Sequence, residues 1–167
     1  MKRFEGKVVI VTGAAGGIGR AAVMRFIDEG ASVCAVDMDA AGLSETLRLA
    51  EERGASVQSV VADVSKADDV ARYVAEAEAH YGGVDVMFNN AGIEGTVAPI
   101  EDYPEAVFDK VVAVNIKGVY LGMKSVIDAM RRRGGGAIVN AASGAGLRCT
   151  PTLLAYGASK HAVVGMT

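Results

Sequence analysis

Near its carboxyl end the sequence reads Tyr156-Gly157-Ala158-Ser159-Lys160. A tyrosine and a lysine four residues apart share one face of a helix, so the ammonium can lie beside the phenol. A phenol holds its proton at neutral pH unless positive charge stabilises the phenolate. One such charge at ~4 Å, at an effective dielectric near 20, supplies about 4 kcal/mol. The pair is therefore suited to moving a proton on and off a hydroxyl or carbonyl oxygen. Spacing alone proves little, because the chain carries a second match, Tyr120-Leu121-Gly122-Met123-Lys124. Tyr120 stands inside an apolar helical segment and reads as a packing or interface residue. Tyr156 begins a helix that follows a strand, and Ser143 stands thirteen residues before it at the carboxyl end of that strand.

A second set of residues could hold a nucleotide. Thr12 to Gly19 reads T-G-A-A-G-G-I-G, a glycine-rich turn between an apolar run and a helical pattern. Glycines let such a turn take positive φ and let a ligand touch backbone. The helix that follows points its N-terminus at a pyrophosphate. Gly13, Gly16, Gly17, Ile18 and Gly19 are the expected contacts. Asp37 ends the second apolar run, where an acid accepts hydrogen bonds from an adenosine ribose. It would repel a 2′-phosphate. Residues 14 and 15 are alanine, residue 38 is methionine, and Arg20, the nearest base, lies on the helix. The pattern favours NAD over NADP. Asp37 could instead cap the next helix. Asp63-Val64 and Asn89-Asn90-Ala91-Gly92 fall at the ends of the third and fourth runs. Asp63 could bond an adenine amino group or simply shape a turn, and the asparagines could be turn formers.

These residues need a frame that brings strand ends together. Apolar runs at 7–12, 31–37, 56–64, 84–92 and 135–143 alternate with helical patterns at 17–29, 40–53, 67–80, 104–133 and from about 152 onward. The 104–133 stretch reads as two helical segments. Gly30, Gly54 and Gly82 end the first three helices. Strand–helix alternation with short connections predicts an α/β fold, a doubly wound parallel sheet covered on both faces, with right-handed crossovers. Such sheets bind ligands at the carboxyl ends of their strands.

Composition agrees with a single globular domain over 1–167. Hydrophobic residues make up 51 %, tryptophan is absent, and 21 glycines exceed the usual share. A net charge of −3 without a basic block argues against nucleic acid or an acidic membrane surface as partner. Cys34 reads as a buried packing residue. With Cys149 it forms no disulfide framework and no metal pattern. His80 and His161 belong to no motif. No signal peptide and no membrane span is read, so the cytoplasm is expected.

Taken together, the chain resembles the short-chain dehydrogenases/reductases, in their shorter single-domain branch. The resemblance runs the length of the chain. It rests on T-G-x-x-x-G-x-G at 12–19, D-V at 63–64, N-N-A-G at 89–92, Asn115, Ser143 and Y-x-x-x-K at 156–160, in family order. It implies a catalytic tetrad of Asn115, Ser143, Tyr156 and Lys160. Tyr156 would be the acid/base, Lys160 its cation, and Ser143 the donor to the substrate oxygen. Asn115 would bend its helix and hold a water that touches the lysine. Asn90, Ala91, Gly92, Asp63 and Val64 would join the glycine turn, Tyr156 and Lys160 around NAD. The activity implied is hydride transfer between NAD and a secondary alcohol or ketone, in a homo-oligomer (a tetramer or dimer). The N-N-A-G turn and glycine spacing fit this branch better than the longer one, with its epimerases and dehydratases.

Family members run to roughly 250 residues, within the range of single domains. The sequence therefore reads as part of a longer protein. The rest of the Tyr156 helix, two strands, the substrate loop and a P-G turn would lie beyond residue 167. The fifth strand then becomes an exposed edge. A truncated nucleotide-binding module without turnover is the alternative. Residues 94–99 and 144–152 would line what remains of the substrate pocket.

Overall fold

The computed structural model describes residues 2–148 and 151–167. Among these, strands and helices alternate as β1 (Val8–Thr12), α1 (Gly17–Asp28), β2 (Ser32–Asp37), α2 (Ala40–Glu51), β3 (Gln58–Val61), α3 (Ala67–Tyr81), β4 (Val86–Asn89), α4 (Glu105–Val111), α5 (Gly118–Arg133), β5 (Ala137–Asn140) and α6 (Leu154–Met166). The strands form one parallel sheet in the order β3-β2-β1-β4-β5. Winding runs outward from β1 to β3, then resumes on the other side at β4. The crevice between the ends of β1 and β4 is thus the topological switch point, where such sheets take ligands.

Every residue of β1 is buried, as its β-branched run requires of a strand covered on both faces. Alternation sends neighbouring side chains to opposite layers. Val9 and Val11 pack with Val23, Met24 and Ile27 of α1 and Leu43 of α2. Ile10 packs with Val70 and Tyr73 of α3 and Val126 of α5. Cys34 sits fully buried in that second layer, where burial pushes its thiol up to about 12 and leaves it a packing group. The helix stops fall at glycines in the left-handed region: φ is +90° at Gly30, +71° at Gly54 and +79° at Gly82.

Several strands are shorter than their apolar runs, for a tertiary reason. The Asp37–Val61 and Asn89–Asn140 pairs are the last of their ladders. Beyond them Ala62 and Ala141 donate once more to the Asp37 and Asn89 carbonyls, and the partner strand has ended. So Asp63-Val64 and Ser143 do not close their strands. They stand past the ends, on the connecting turns, with Ser143 opening a short 3-10 turn over Gly144–Gly146. The 104–133 stretch is also simpler than two separate segments. α4 and α5 join through a π-helical stretch, Val112–Lys117, into one continuous rod. β5 lies at the sheet edge with Val139 52 % exposed.

Candidate active site

The glycine turn leaves β1 at Gly13 and builds a bare backbone cradle. Gly17 has φ of +51°, which a side chain would strain. A Cβ on Gly19 would lie 1.9 Å from the Gly13 carbonyl oxygen, so only glycine lets the helix pack against the turn. At Gly16 and Gly17 a Cβ would meet nothing within 4 Å, so that backbone faces open space. α1 starts here with Gly16 as its N-cap, no side-chain cap and no acid in its first turn. Its first N–H groups are left for an anionic ligand. The N-terminus of α2 is closed instead, because the Asp39 carboxylate accepts from the Ala41 and Gly42 N–H groups. The uncapped turn fits a dinucleotide pyrophosphate.

In front of the cradle lies a cleft of about 620 Å³. Its walls include Gly13, Gly16, Gly17, Ile18, Asp37, Asn90, Ala91, Gly92, Tyr156 and Lys160. Residues from five separated stretches of sequence, Ala141 and Ala142 among them, therefore meet around one space. An adjoining hollow of about 170 Å³ is lined by Asp63, Val64, Met38, Lys110 and Val114, together with Asp37. Gly19 stands behind the wall, packed on Gly13. Asp37 Oδ2 accepts from the Ala15 N–H at 2.9 Å and Oδ1 from the Asp39 N–H at 3.1 Å. Each oxygen keeps acceptor capacity for a ribose hydroxyl. Asp63 Oδ1 accepts from the Ser65 hydroxyl at 2.7 Å and the Ser65 N–H at 2.9 Å. These bonds hold its carboxyl below the usual carboxylate range.

Tyr156 and Lys160 stand one turn apart on α6. The Lys160 Nζ lies 5.6 Å from the Tyr156 ring centroid and donates to the Ala141 carbonyl at 2.6 Å. The residue is only 5 % exposed, and burial pushes its ammonium below the usual lysine range. A Cβ on Gly92 would lie 3.6 Å from that Nζ and 3.3 Å from Asn115 Oδ1. The turn after β4 is thus pressed against both residues. Asn115 is buried in the π-helical stretch. Its Oδ1 accepts from the Ile93 N–H at 2.8 Å, and its Nδ2 donates to the Ile93 carbonyl at 2.8 Å and to Ser159 Oγ at 2.9 Å. Its side chain is a strut between the β4 turn and α6. Ser143 Oγ accepts from the Ala145 N–H at 3.1 Å and keeps its own proton to donate. Ser143 is not among the residues lining the cleft.

Sequence reasoning passed over three residues that hold this arrangement. Ser159, buried between Tyr156 and Lys160 in sequence, accepts from Asn115 and donates to the Tyr156 carbonyl at 2.7 Å. A polar residue on the buried face of that helix was the available signal. Thr12 Oγ1 accepts from the Asn90 and Ala91 N–H groups at 3.0 and 3.1 Å, and Asn90 Nδ2 returns a bond to the Thr12 carbonyl at 2.9 Å. These bonds pin the end of β4 to the end of β1. Ile93 supplies both backbone groups that Asn115 holds. Of the expected pocket segments, Glu94 reaches the cleft wall. The Ala98 N–H donates to the Thr152 carbonyl at 3.0 Å, so the two segments meet. Cys149 and Thr150 lie outside the described residues. Both histidines are exposed, and no metal-binding cluster is present among the described residues. No helix there is long and apolar enough to cross a membrane.

Residues 7–167 match the family described as short chain dehydrogenase. Levodione reductase of Leifsonia aquatica is 43 % identical over 167 residues, covering 99 % of this chain and 62 % of its own length. A 3beta-hydroxysteroid dehydrogenase of Mediterraneibacter gnavus is 39 % identical over 167 residues, covering 100 % of this chain and 60 % of its own. Among solved structures, an NAD+-bound xylitol dehydrogenase superposes with a TM-score of 0.96 at 38 % identity, over 99 % of this chain and 64 % of that one. The chain thus spans about three-fifths of the length of the curated relatives it matches.

Proposed function

This chain belongs to the short-chain dehydrogenase family, and from that premise we propose that the intact protein moves a hydride between NAD and a secondary alcohol or ketone. One observation carries the reading. A buried ammonium, Lys160, lies beside the Tyr156 ring on the wall of a cleft that is also lined by an uncapped helix N-terminus. Bound nicotinamide would give or accept the hydride. The chain's own residues do the rest. Gly13, Gly16, Gly17 and Ile18 hold the pyrophosphate with the α1 N–H groups. Asp37 takes the adenosine ribose, Asp63 and Val64 flank the adenine, and Asn90, Ala91 and Gly92 form the floor. Tyr156 gives or takes the hydroxyl proton while Lys160 stabilises its phenolate. The Ser143 hydroxyl donates to the substrate oxygen, where charge develops. Asn115 keeps the β4 turn and α6 at a constant separation.

NAD, rather than NADP, is supported by the Asp37 carboxylate, whose neighbours Ala14, Ala15 and Met38 offer no positive charge to a 2′-phosphate. The NAD+-bound xylitol dehydrogenase is in line with this. The same reading gives one domain, a cytoplasmic location and no nucleic-acid or membrane partner. It also gives a dimer or tetramer packed through the long helices after β4 and β5, the first of which leaves Phe108, Tyr120 and Ile127 partly exposed.

The test is NADH formation or consumption with a panel of secondary alcohols and ketones, seeded with levodione, a 3beta-hydroxysteroid and xylitol after the relatives' names. Tyr156→Phe is expected to lower turnover by about 10²- to 10⁴-fold while NADH binding persists. Activity that stays near the wild-type level overturns the role of Tyr156. Wild-type protein that binds NADH without turning over any alcohol or ketone supports a binding module instead.

A further inference from the structure

The base nearest the glycine turn does not face the cleft. Arg20, in the first turn of α1, directs one edge of its guanidinium inward onto α2. Its Nε donates to Thr46 Oγ1 at 2.9 Å, and its Nη2 donates to the Gly42 carbonyl at 3.0 Å and to the Ala15 carbonyl. Thr46 is fully buried, and its hydroxyl donates to the Ala14 carbonyl at 2.8 Å, with the Gly42 carbonyl also within reach at 3.1 Å. Close approach at Gly42 completes the contact. A Cβ there would stand 2.7 Å from Ala15 Cβ, 2.8 Å from the Ala15 oxygen and 2.6 Å from Asp39 Oδ2. A second layer of atoms therefore joins the glycine turn to the first turns of α2.

Asp37 is suspended between those two pieces. The Ala15 N–H binds one carboxylate oxygen and the Asp39 N–H binds the other. Ala15 is tied on both sides, its N–H donating to Asp37 and its carbonyl accepting from Arg20. Both donors to the carboxylate therefore sit on the two pieces that Arg20, Thr46 and Gly42 join.

We infer that Arg20, Thr46 and Gly42 form a lock that positions Asp37 and sets the preference for a dinucleotide without a 2′-phosphate. The inference rests on the dehydrogenase reading above. Opening the lock acts twice in one direction. The carboxylate loses its alignment with the ribose diol, which weakens NAD(H). The guanidinium loses its α2 partners, Thr46 and the Gly42 carbonyl, and becomes available to a 2′-phosphate, which strengthens NADP(H). Thr46 and Gly42 line neither the cleft nor the adjoining hollow and are positioning residues.

Fluorescence titration of NADH and NADPH, on the intact protein, reads the ratio of the two dissociation constants. Wild type is expected to bind NADH more tightly. Thr46→Val keeps the shape and removes the hydroxyl, and should reduce the NADH preference about ten-fold. Thr46→Ser restores the hydroxyl and should restore the preference. Gly42→Ala, which wedges α2 off the turn, should lower the preference by a different route. Equal weakening of both nucleotides, or a ratio that stays at the wild-type value in Thr46→Val and Gly42→Ala, overturns the lock. A wild type that binds NADH and turns over alcohols leaves the dehydrogenase reading intact in that case. A wild type that binds neither nucleotide overturns both.

Discussion

The two Tyr-x-x-x-Lys pairs of this chain are locally near-identical and chemically far apart. On α5 the Lys124 ammonium lies 5.8 Å from the Tyr120 ring centroid, and on α6 the Lys160 ammonium lies 5.6 Å from the Tyr156 ring. Helical spacing alone delivers that contact. Everything around it differs. Tyr120 is 48 % exposed and Lys124 is exposed beside it, so nothing in this chain's own fold desolvates the charge. Lys160 is buried against Gly92, bonded to the Ala141 carbonyl, and set on a helix that Asn115 and Ser159 tie to the β4 turn. A charge at the same distance acts several times more strongly at the lower effective dielectric of a buried site than in water. The pair becomes useful through its surroundings.

The sharpest way to break this comparison is to remove each hydroxyl in turn. Tyr156→Phe is expected to lower turnover by about 10²- to 10⁴-fold, whereas Tyr120→Phe should stay within about two-fold of wild type, as surface changes do. Steady-state rates with NAD and any active alcohol read both. Comparable losses at the two sites would end the distinction. Next in size is the cation. Lys160→Met should reduce kcat by about 10²-fold through loss of phenolate stabilisation, with Lys124→Met close to wild type in the same assay.

The struts come third. Asn115→Ala strips partners from the Ile93 N–H and carbonyl and from Ser159, and should lower unfolding stability by about 2–3 kcal/mol. Ser159→Ala should cost about 1 kcal/mol. Urea unfolding of both single variants and the double variant should show sub-additive losses, because the two residues share a bond. Strict additivity would separate them. Lys124→Ala on the surface rod should shift stability by no more than about 0.5 kcal/mol.

The smallest effect is a pH trend. Burial lowers the Lys160 pKa, so the unfolded chain holds this proton more tightly than the folded one. The buried charge therefore costs stability at neutral pH. That cost falls away as pH rises through the folded value toward the unfolded value of about 10.4. Wild type should gain on Lys160→Met between neutral pH and about pH 10 in paired unfolding curves. A gap that widens in the opposite sense would show that the ammonium is stabilised where it sits.

Much of the frame was legible along the chain. The run Val8 to Val11 is β-branched and apolar at every position, which only a doubly covered strand accommodates. Gly30, Gly54 and Gly82 marked helix ends because the left-handed backbone there suits glycine alone. The glycine turn, Asp37, Asn90 and the Tyr156–Lys160 pair all reach one cleft, and their positions at strand and helix ends foretold it. Less legible were the ends of β3 and β5. Asp63 and Ser143 continue apolar runs in sequence, yet each strand stops where its neighbour turns away.

By itself, then, the amino-acid order determined the alternation of strand and helix, the bare backbone of the Gly13–Gly19 turn and the meeting of each tyrosine with the lysine four residues on. These depend on φ preferences, side-chain period and helical pitch, which act over a few residues. Tertiary structure decided which pair was desolvated, where Thr12 pinned Asn90 and how Asn115 found Ser159. Those contacts join residues 78 and 44 positions apart. They exist only once a parallel sheet has set β1 beside β4 and the π-helical stretch against α6, because dielectric, burial and hydrogen-bond partners belong to the packed whole.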